Sequence, residues 1–408
     1  MKLAQLSLMI LGGALAFTGT AAAAENIVLG ASISLTGKYS TAGSHTKNGY
    51  DLAIKKINDA GGVKVGDTNH MLELKIYDDE STPARATELA ERLINRDNVK
   101  LMLGPYSSGL TKAIAPVTEK HGVPMVEGNG ASRSLFNKGY TYLFAVLSTS
   151  EQYLQEAVNL LAEKTLAAGG DVTKLKVAVA TENDPFSQDI RAGIIEDAER
   201  HGMQIVVDDK LPRELSDMSS TLTKVKALQP DLLVTSGHSK GAALAVKQVA
   251  EMKINVPMHA MTHCESAKVN DMEKFGNDAD YVLCAGQWAP TLTYSDSLFG
   301  SASDYAKEFE AVYDYVPPYQ AAESSAAVMV FADALQRAGS TDSKAVRDAL
   351  SETDMQTFYG NIKFDETGKN IAKPMVLRQI KDGKYSLVAP TNWANAELVY
   401  PRPMWTDR

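Results

Sequence analysis

From Glu25 onward, short β-branched runs alternate with stretches of helical period, the rhythm of parallel sheets whose strands are joined by crossover helices. Residues 26–35 predict a strand and 43–58 a helix closed by Gly61-Gly62. Strand 72–77, helix Pro83–Asn95, strand 99–103, helix 110–120 and strand 123–126 follow, with Pro83 in a first helical turn behind Ser81 or Thr82 as cap. After 140–147 the rhythm restarts with helix 151–166, strand 175–181, helix 187–201 and strand 204–207. Asp217 then caps a helix ending at Leu228, before strand 231–236, helix 240–252 and strand 257–261. Helices at 303–313, 319–338 and 343–350 precede a β-rich tail that turns at Lys381-Asp382-Gly383-Lys384. The pattern predicts α/β architecture with two doubly wound sheets.

Length supports two lobes, because the chain has 408 residues and single cores stop growing near roughly 250 to 300. With 44% hydrophobic and 22% charged positions it lies in the ordinary globular range, which excludes disorder and coiled coil. Basic residues number 41 against 50 acidic, net −9, with no basic run, so nucleic acid and anionic membrane are excluded as expected partners. The first 24 residues read as a secretory signal peptide: Lys2, an apolar run over 6–17 too short to span a bilayer, then small residues at Ala22 and Ala24. Cleavage after Ala24 and a soluble mature chain outside the cytoplasm are expected. In that compartment Cys264 and Cys284 are free to form a disulfide, but Cys284 sits in the apolar run Tyr-Val-Leu-Cys-Ala, and the favoured reading is two thiols on neighbouring buried strands.

Several blocks at strand ends narrow the class. They are Ser34-Leu-Thr-Gly-Lys-Tyr39, Tyr77-Asp-Asp-Glu-Ser-Thr-Pro83, Leu103-Gly-Pro-Tyr-Ser-Ser-Gly109, Glu182-Asn-Asp-Pro-Phe-Ser-Gln188, Gln287-Trp288 and Phe358-Tyr-Gly-Asn-Ile-Lys-Phe-Asp365. In this order and spacing the chain resembles the periplasmic type I solute-binding proteins of the branched-chain amino acid ABC transporter group. The resemblance implies two Rossmann-like lobes joined by a three-crossing hinge, 25–147 with 285–357 and 148–284 with 358–408. It also implies a monomeric, non-enzymatic periplasmic receptor with no cofactor and no metal. Such a receptor captures a small carboxylate-bearing solute, in first place a branched-chain or other apolar amino acid, and delivers it to an inner-membrane ABC permease. An aromatic acid or amide, or a sensor role for the same fold, is the alternative.

Ligands of open α/β sheets bind beyond the carboxyl ends of the strands, where these blocks lie. Tyr106-Ser107-Ser108-Gly109 combines an aromatic wall, two hydroxyls and a helix amino end suited to a carboxylate, although the same serines could simply cap that helix. The family motif places the carboxylate-holding serine at Ser108, and a backbone amide and hydroxyl in Asn129-Gly-Ala-Ser132, in a register open between Ala131 and Ser132. It places a packing aromatic at Phe186. His238 and either Thr262 or Glu265 end later strands, Glu265 being the acid by motif for an α-ammonium. Tyr39, Trp288 and Tyr319 are candidates for an aromatic cleft. Asp78-Asp79 reads as loop and cap residues before the helix at Pro83.

One motif points elsewhere. Gly237-His-Ser-Lys-Gly241 fits the G-x-S-x-G nucleophile elbow between strand and helix, with Ser239 as nucleophile. That fold needs its His far downstream after the acid, and the last His of the chain is His263. His263-Cys264-Glu265 are adjacent and cannot readily converge on one metal. Expressed with its leader in a Gram-negative host, the mature chain is expected to begin at Glu25, by N-terminal sequencing, and to be released by osmotic shock; retention in the membrane pellet would count against the leader.

Overall fold

The computed structural model describes residues 25–264 and 274–408, so the leader and Glu265 lie outside the described residues. Strand β1 (Ile27–Ile33) is Ile-Val-Leu-Gly-Ala-Ser-Ile, buried along nearly its whole length, as a parallel strand covered on both faces must be. It is followed by α1 (Ser40–Asp59), the hairpin β2 (Val63–Val65) and β3 (Thr68–His70), β4 (Leu72–Asp78), α2 (Pro83–Asn95) and β5 (Leu101–Leu103). Then come α3 (Ser108–His121), β6 (Met125–Glu127) and β7 (Leu143–Ala145). The first sheet is parallel throughout, in the order β4-β1-β5-β6-β7.

The second sheet begins beyond α4 (Gln155–Ala167) with β8 (Lys176–Glu182), α5 (Pro185–His201), β9 (Gln204–Leu211) and α6 (Ser219–Leu228). It continues with β10 (Leu232–Ser236), α7 (Ser239–Glu251), β11 (Met258–Thr262) and β12 (Leu283–Gly286). Its parallel part is ordered β9-β8-β10-β11-β12. Each sheet thus reverses its winding once, between β1 and β5 in the first and between β8 and β10 in the second, and ligand crevices open at such points.

After β12 come the hairpin β13 (Ser295–Asp296) and β14 (Gly300–Ser301), α8 (Ala302–Tyr313), α9 (Tyr319–Ala338), α10 (Ser343–Ser351) and the hairpin β15 (Asp354–Thr357) and β16 (Gly360–Lys363). Helix α9 lies along α1 of the first lobe, so close that a Cβ on Gly49 would stand 2.2 Å from the Ala321 carbonyl oxygen. Finally the hairpin β17 (Val376–Lys381) and β18 (Lys384–Ala389) extends the second sheet, β17 pairing antiparallel to β12, with the strands joined at Asp382-Gly383 with φ of +50° and +70°, as a two-residue hairpin turn requires. Two parallel-stranded sheets wound with helices and linked by three passages of the chain make a two-lobed α/β fold.

The three passages between sheets are tied into one knot. Gln287 Nε2 donates to the Ser148 carbonyl at 2.8 Å while Ser148 N donates to Gln287 Oε1 at 3.1 Å. Ser148 Oγ donates to the Lys373 carbonyl at 2.6 Å, and Lys373 Nζ donates to that of Gln287.

Two helices keep their predicted bounds because both are sharply punctuated. Pro83 opens α2; Pro318 precedes α9 and Gly339, at φ +57°, ends it. The predicted helix 151–166 instead divides into a 3-10 turn at Ser150–Gln152 and α4, and the break at Tyr153-Leu154 buries both side chains. Asp78 and Asp79 do not cap α2, whose cap position is Thr82. Asp79 is buried and accepts from Ser34 Oγ (2.6 Å), Ser32 Oγ (3.2 Å) and Ser81 N (2.9 Å); Asp78 accepts from Leu35 N and Thr36 Oγ1. They fasten the loop after β1, which carries Lys38 and Tyr39.

The cysteines correct the favoured reading of two free thiols: Cys264 and Cys284 are disulfide-bonded, with Cα atoms 5.9 Å apart. Cys284 stands on β12, but Cys264 lies past the end of β11, whose strand stops at Thr262; the left-handed kink at His263 (φ +61°) delivers Cys264 to β12. Closing a loop of 20 residues removes unfolded-state entropy worth about 3 kcal/mol in the chain-entropy model. Replacing both cysteines by Ala is therefore expected to lower unfolding free energy in urea by about that amount, with reductant lowering wild type to the same curve and leaving the variant unmoved.

Candidate functional site

The carboxyl ends of both parallel sheets face one cavity of about 10 Å³, room for roughly one water molecule. The first lobe contributes Tyr106, Ser107 and Ser108 from the turn between β5 and α3, and Asn129 from the loop after β6. The first turn of α9 adds Tyr319, Gln320 and Glu323. The second lobe supplies Tyr153, Phe186, His238 and His263. Four helix amino ends meet here, with Ser107, Asp184, His238 and Pro318 as the capping positions of α3, α5, α7 and α9. Their aligned dipoles make the space favourable to an anion. Only at α5, among these four, does a side chain take up the free amides: Asp184 accepts from Phe186 N at 3.0 Å and Ser187 N at 3.3 Å.

The lobes touch through a buried chain of polar groups. The Tyr106 hydroxyl lies 2.9 Å from His238 Nδ1 and 3.0 Å from His263 Nε2, and His238 Nε2 is 3.5 Å from Asp184 Oδ1. Burial, with His238 beside it, pushes His263 down to about 3, so its ring is neutral. Burial would raise Asp184, but the charge and contact of His238, with the Ser187 donors, outweigh it and hold the carboxyl at about 2. One assignment accounts for both contacts of Tyr106: His238 Nδ1–H donates to the Tyr106 oxygen, and the Tyr106 hydroxyl donates to the neutral His263. Tyr39 packs against both ends of this chain, its ring 5.5 Å from Tyr106 and 4.7 Å from His238.

Three further buried carboxyls lie at or near these strand and helix ends, and of them Glu323 lines the cavity. Glu182, at the end of β8, pairs with Lys38 of the first lobe at 2.8 Å. A Cβ on Gly237 or Gly241 would stand 2.6 or 2.7 Å from Glu182 Oε1, so the glycines of the G-x-S-x-G pattern are the cradle of this carboxylate. Glu127, at the end of β6, accepts from Asn129 N at 2.5 Å and contacts Thr111 Oγ1 at 2.7 Å. Burial raises it to about 7 against those hydrogen bonds. Thr111 has one hydroxyl proton and also lies 3.0 Å from the Ser107 carbonyl, so a protonated Glu127 donating to Thr111 resolves the contact. Burial likewise pushes Glu323 well up, opposed by Lys373 and by the Tyr359 hydroxyl donating to it at 3.3 Å.

Of the residues singled out in sequence, Tyr106, Ser107, Ser108, Asn129, Phe186, His238 and Tyr319 line the cavity, with Tyr39 one ring behind. Ala131 and Ser132 do not line it. Ser132 N donates to Ser108 Oγ at 3.0 Å and its hydroxyl donates to Asp189 of the opposite lobe, so this loop braces Ser108 and the lobe contact. Thr262 lies behind the wall, its hydroxyl 3.1 Å from Ser236 Oγ. Trp288 belongs to the first-lobe core, packed edge-on to Tyr305 and Phe358 with its indole N–H donating to the Phe358 carbonyl, because the chain has already turned away from the cleft after Gln287. Sequence reasoning missed Tyr153, His263, Gln320 and Glu323. The last pair was within reach, since Tyr319, Gln320 and Glu323 share the first turn of a helix whose start was predicted.

Known proteins share this fold, that of the type I periplasmic binding proteins. The family model described as periplasmic binding protein matches residues 26–384, and the chain belongs to that family. A relative from Brucella suis biovar 1, named Leu/Ile/Val-binding protein homolog 8, is 25% identical over 407 residues, 96% of this chain and 97% of its own. Among solved structures, the branched-chain amino acid transporter substrate-binding protein LivJ from Streptococcus pneumoniae, in complex with isoleucine, superposes with a TM-score of 0.77 at 23% identity. It covers 90% of this chain and 100% of that one. A solute-binding protein of an ABC transporter from R. palustris, in complex with benzoate, gives 0.75 at 19% identity over 89% and 95%.

Glu127 generates a pH prediction. Its folded value of about 7 exceeds the unfolded 4.5, so between these the folded chain holds the extra proton and stability falls as pH rises. The loss is complete above about pH 7 and amounts to about 3 kcal/mol. Glu127→Gln, which keeps one donor and one acceptor, is expected to flatten this slope in urea unfolding and to exceed wild type above pH 7; an unchanged slope would place the titration elsewhere.

Proposed function

We propose that the protein is a monomeric, non-enzymatic periplasmic receptor that captures a small carboxylate-bearing solute between its lobes and hands it to an inner-membrane ABC permease. The observation that carries this reading is the meeting of helix amino ends from both lobes, with Ser108, on one buried space. The carboxylate sits at the amino end of α3 on Ser108, whose hydroxyl is oriented by the Ser132 amide. Phe186 and His238 recruit the second lobe. Closure removes the solute from water, and the closed form is what the permease reads. The relatives named for leucine, isoleucine and valine, and the isoleucine complex of LivJ, favour a branched-chain or other apolar amino acid.

The rings of Tyr106, Tyr153, Phe186 and Tyr319 favour a second reading, an aromatic carboxylate, as bound by the R. palustris neighbour. Thermal-shift measurement on refolded, ligand-stripped protein separates them, because a ligand at 100 times its Kd adds about 2.7 kcal/mol. L-Leucine or L-phenylalanine is expected to shift the transition more than benzoate does. Ser108→Ala is expected to weaken the bound ligand by roughly 1.5 to 3 kcal/mol in calorimetry. Wild-type affinity in that variant would remove the carboxylate from α3.

A further inference from the structure

The first-lobe wall of the cavity presents hydrogen-bond acceptors that the protein itself leaves unanswered. Gln320 is 1% exposed, lines the cavity, and has no hydrogen-bond partner at either amide atom. A buried amide in that state costs stability unless something else completes it. Asn129 Oδ1 is likewise buried without a partner. Its orientation is fixed by chemistry: Ser324 Oγ gives its one proton to the Gln320 carbonyl at 2.6 Å, so it must accept from Asn129 Nδ2 at 2.9 Å, and the amide oxygen is the atom left toward the cavity. The third acceptor is the buried carboxyl of Glu323, one helical turn beyond Gln320 and Tyr319. A simple carboxylate or an aromatic ring set against this wall would leave the Gln320 and Asn129 oxygens unpaired and Glu323 with only the Tyr359 hydroxyl. An ammonium carries three donors, and the tyrosine faces around it suit a cation.

We propose that the first turn of α9, through Gln320 and Glu323 together with Asn129, recognises a ligand ammonium, so that the amine of the solute is read by the same lobe that holds its carboxylate. The proposal rests on the receptor reading above and assigns the selecting group within it. It makes the ligand an α-amino acid, whose carboxylate faces the amino end of α3 and whose amine faces α9. In this arrangement Glu323 takes the counter-charge role that family resemblance gives to Glu265.

Calorimetry on the ligand-stripped full mature chain tests this with L-leucine and L-phenylalanine against their amine-free counterparts 4-methylpentanoate and 3-phenylpropanoate. Wild type is expected to prefer the amines, and Glu323→Gln to weaken them by roughly tenfold or more, the range for hydrogen bonds to charged groups, while changing the amine-free acids less than about threefold. Gln320→Met keeps the volume and removes the orphaned amide. It is expected to raise the melting temperature of the ligand-free protein while weakening the amines selectively, an outcome a merely structural glutamine would not give, and it carries the test if Glu323→Gln fails to fold. Equal losses for amines and acids in both variants would overturn the proposal. So would a selective loss in Glu265→Gln with none in Glu323→Gln, which would leave the amino acid receptor standing. If wild type binds none of the four compounds, the failure belongs to the receptor's ligand class instead.

Discussion

Closing two sets of strand ends over one small space brings many polar groups inside, and several of them find their partner in the opposite lobe. Tyr106 gives its hydroxyl to a pair of histidines from the other lobe, Lys38 reaches Glu182, and Ser132 reaches Asp189. These contacts carry weight because they are buried; a charge left alone there costs several kcal/mol, in round terms about 3 to 5 when one partner of a buried pair is removed. The outer Arg133–Glu196 pair is 33% and 56% exposed, and at such a site solvent screening leaves little to gain. The lobe contact is therefore held from its centre outward, by groups within or next to the cavity.

Space for these buried carboxyls is made by glycine. Gly104 and Gly130 stand against Glu127, where a Cβ would come within 2.1 Å of Oε2 and 2.8 Å of Cγ. Gly237 and Gly241 do the same for Glu182 in the other lobe. The two lobes thus solve one problem twice: a carboxyl at the end of a parallel strand, seated under a turn too tight for any side chain. The spacing that resembles a nucleophile elbow arises from this packing demand, with Ser239 simply the first residue of α7.

How much could be read from the sequence depends on whether a residue's role is local. Helices α2 and α9 were legible to the residue because proline and glycine mark their ends with steric rules that need no tertiary context. The placement of Ser107-Ser108 at a helix amino end beside the cavity was legible because such an end is a local object. Trp288 was misplaced because an aromatic residue just past a strand serves a cleft or a core equally well until the crossing of the chain is known. Tyr153 was hidden inside an apparently continuous helix, and the disulfide depended on the kink at His263, neither of which has a periodic signature. Glu127 and Glu323 are harder still, since a carboxyl looks solvated in any sequence and only the fold reveals that it is buried.

The cavity and the crossings between the sheets are joined by shared hydrogen-bond partners. Gln287, in the middle crossing, donates to the Tyr153 hydroxyl at 3.0 Å and to the Ser148 carbonyl at 2.8 Å. Accepting from Gln287 leaves Tyr153 its own proton to give into the cavity it lines. On the other flank the Tyr359 hydroxyl lies 3.3 Å from Glu323 and 3.4 Å from Gln287 Oε1, and Lys373 Nζ sits 4.4 Å from the Tyr359 ring centroid. Tyr359 has one proton for two acceptors, so its bond to Gln287 and its bond to Glu323 compete. Contiguity alone is not coupling, but competition for a single proton is a physical one. Glu323 therefore bears, through Tyr359, on Gln287, the residue that binds all the crossings together.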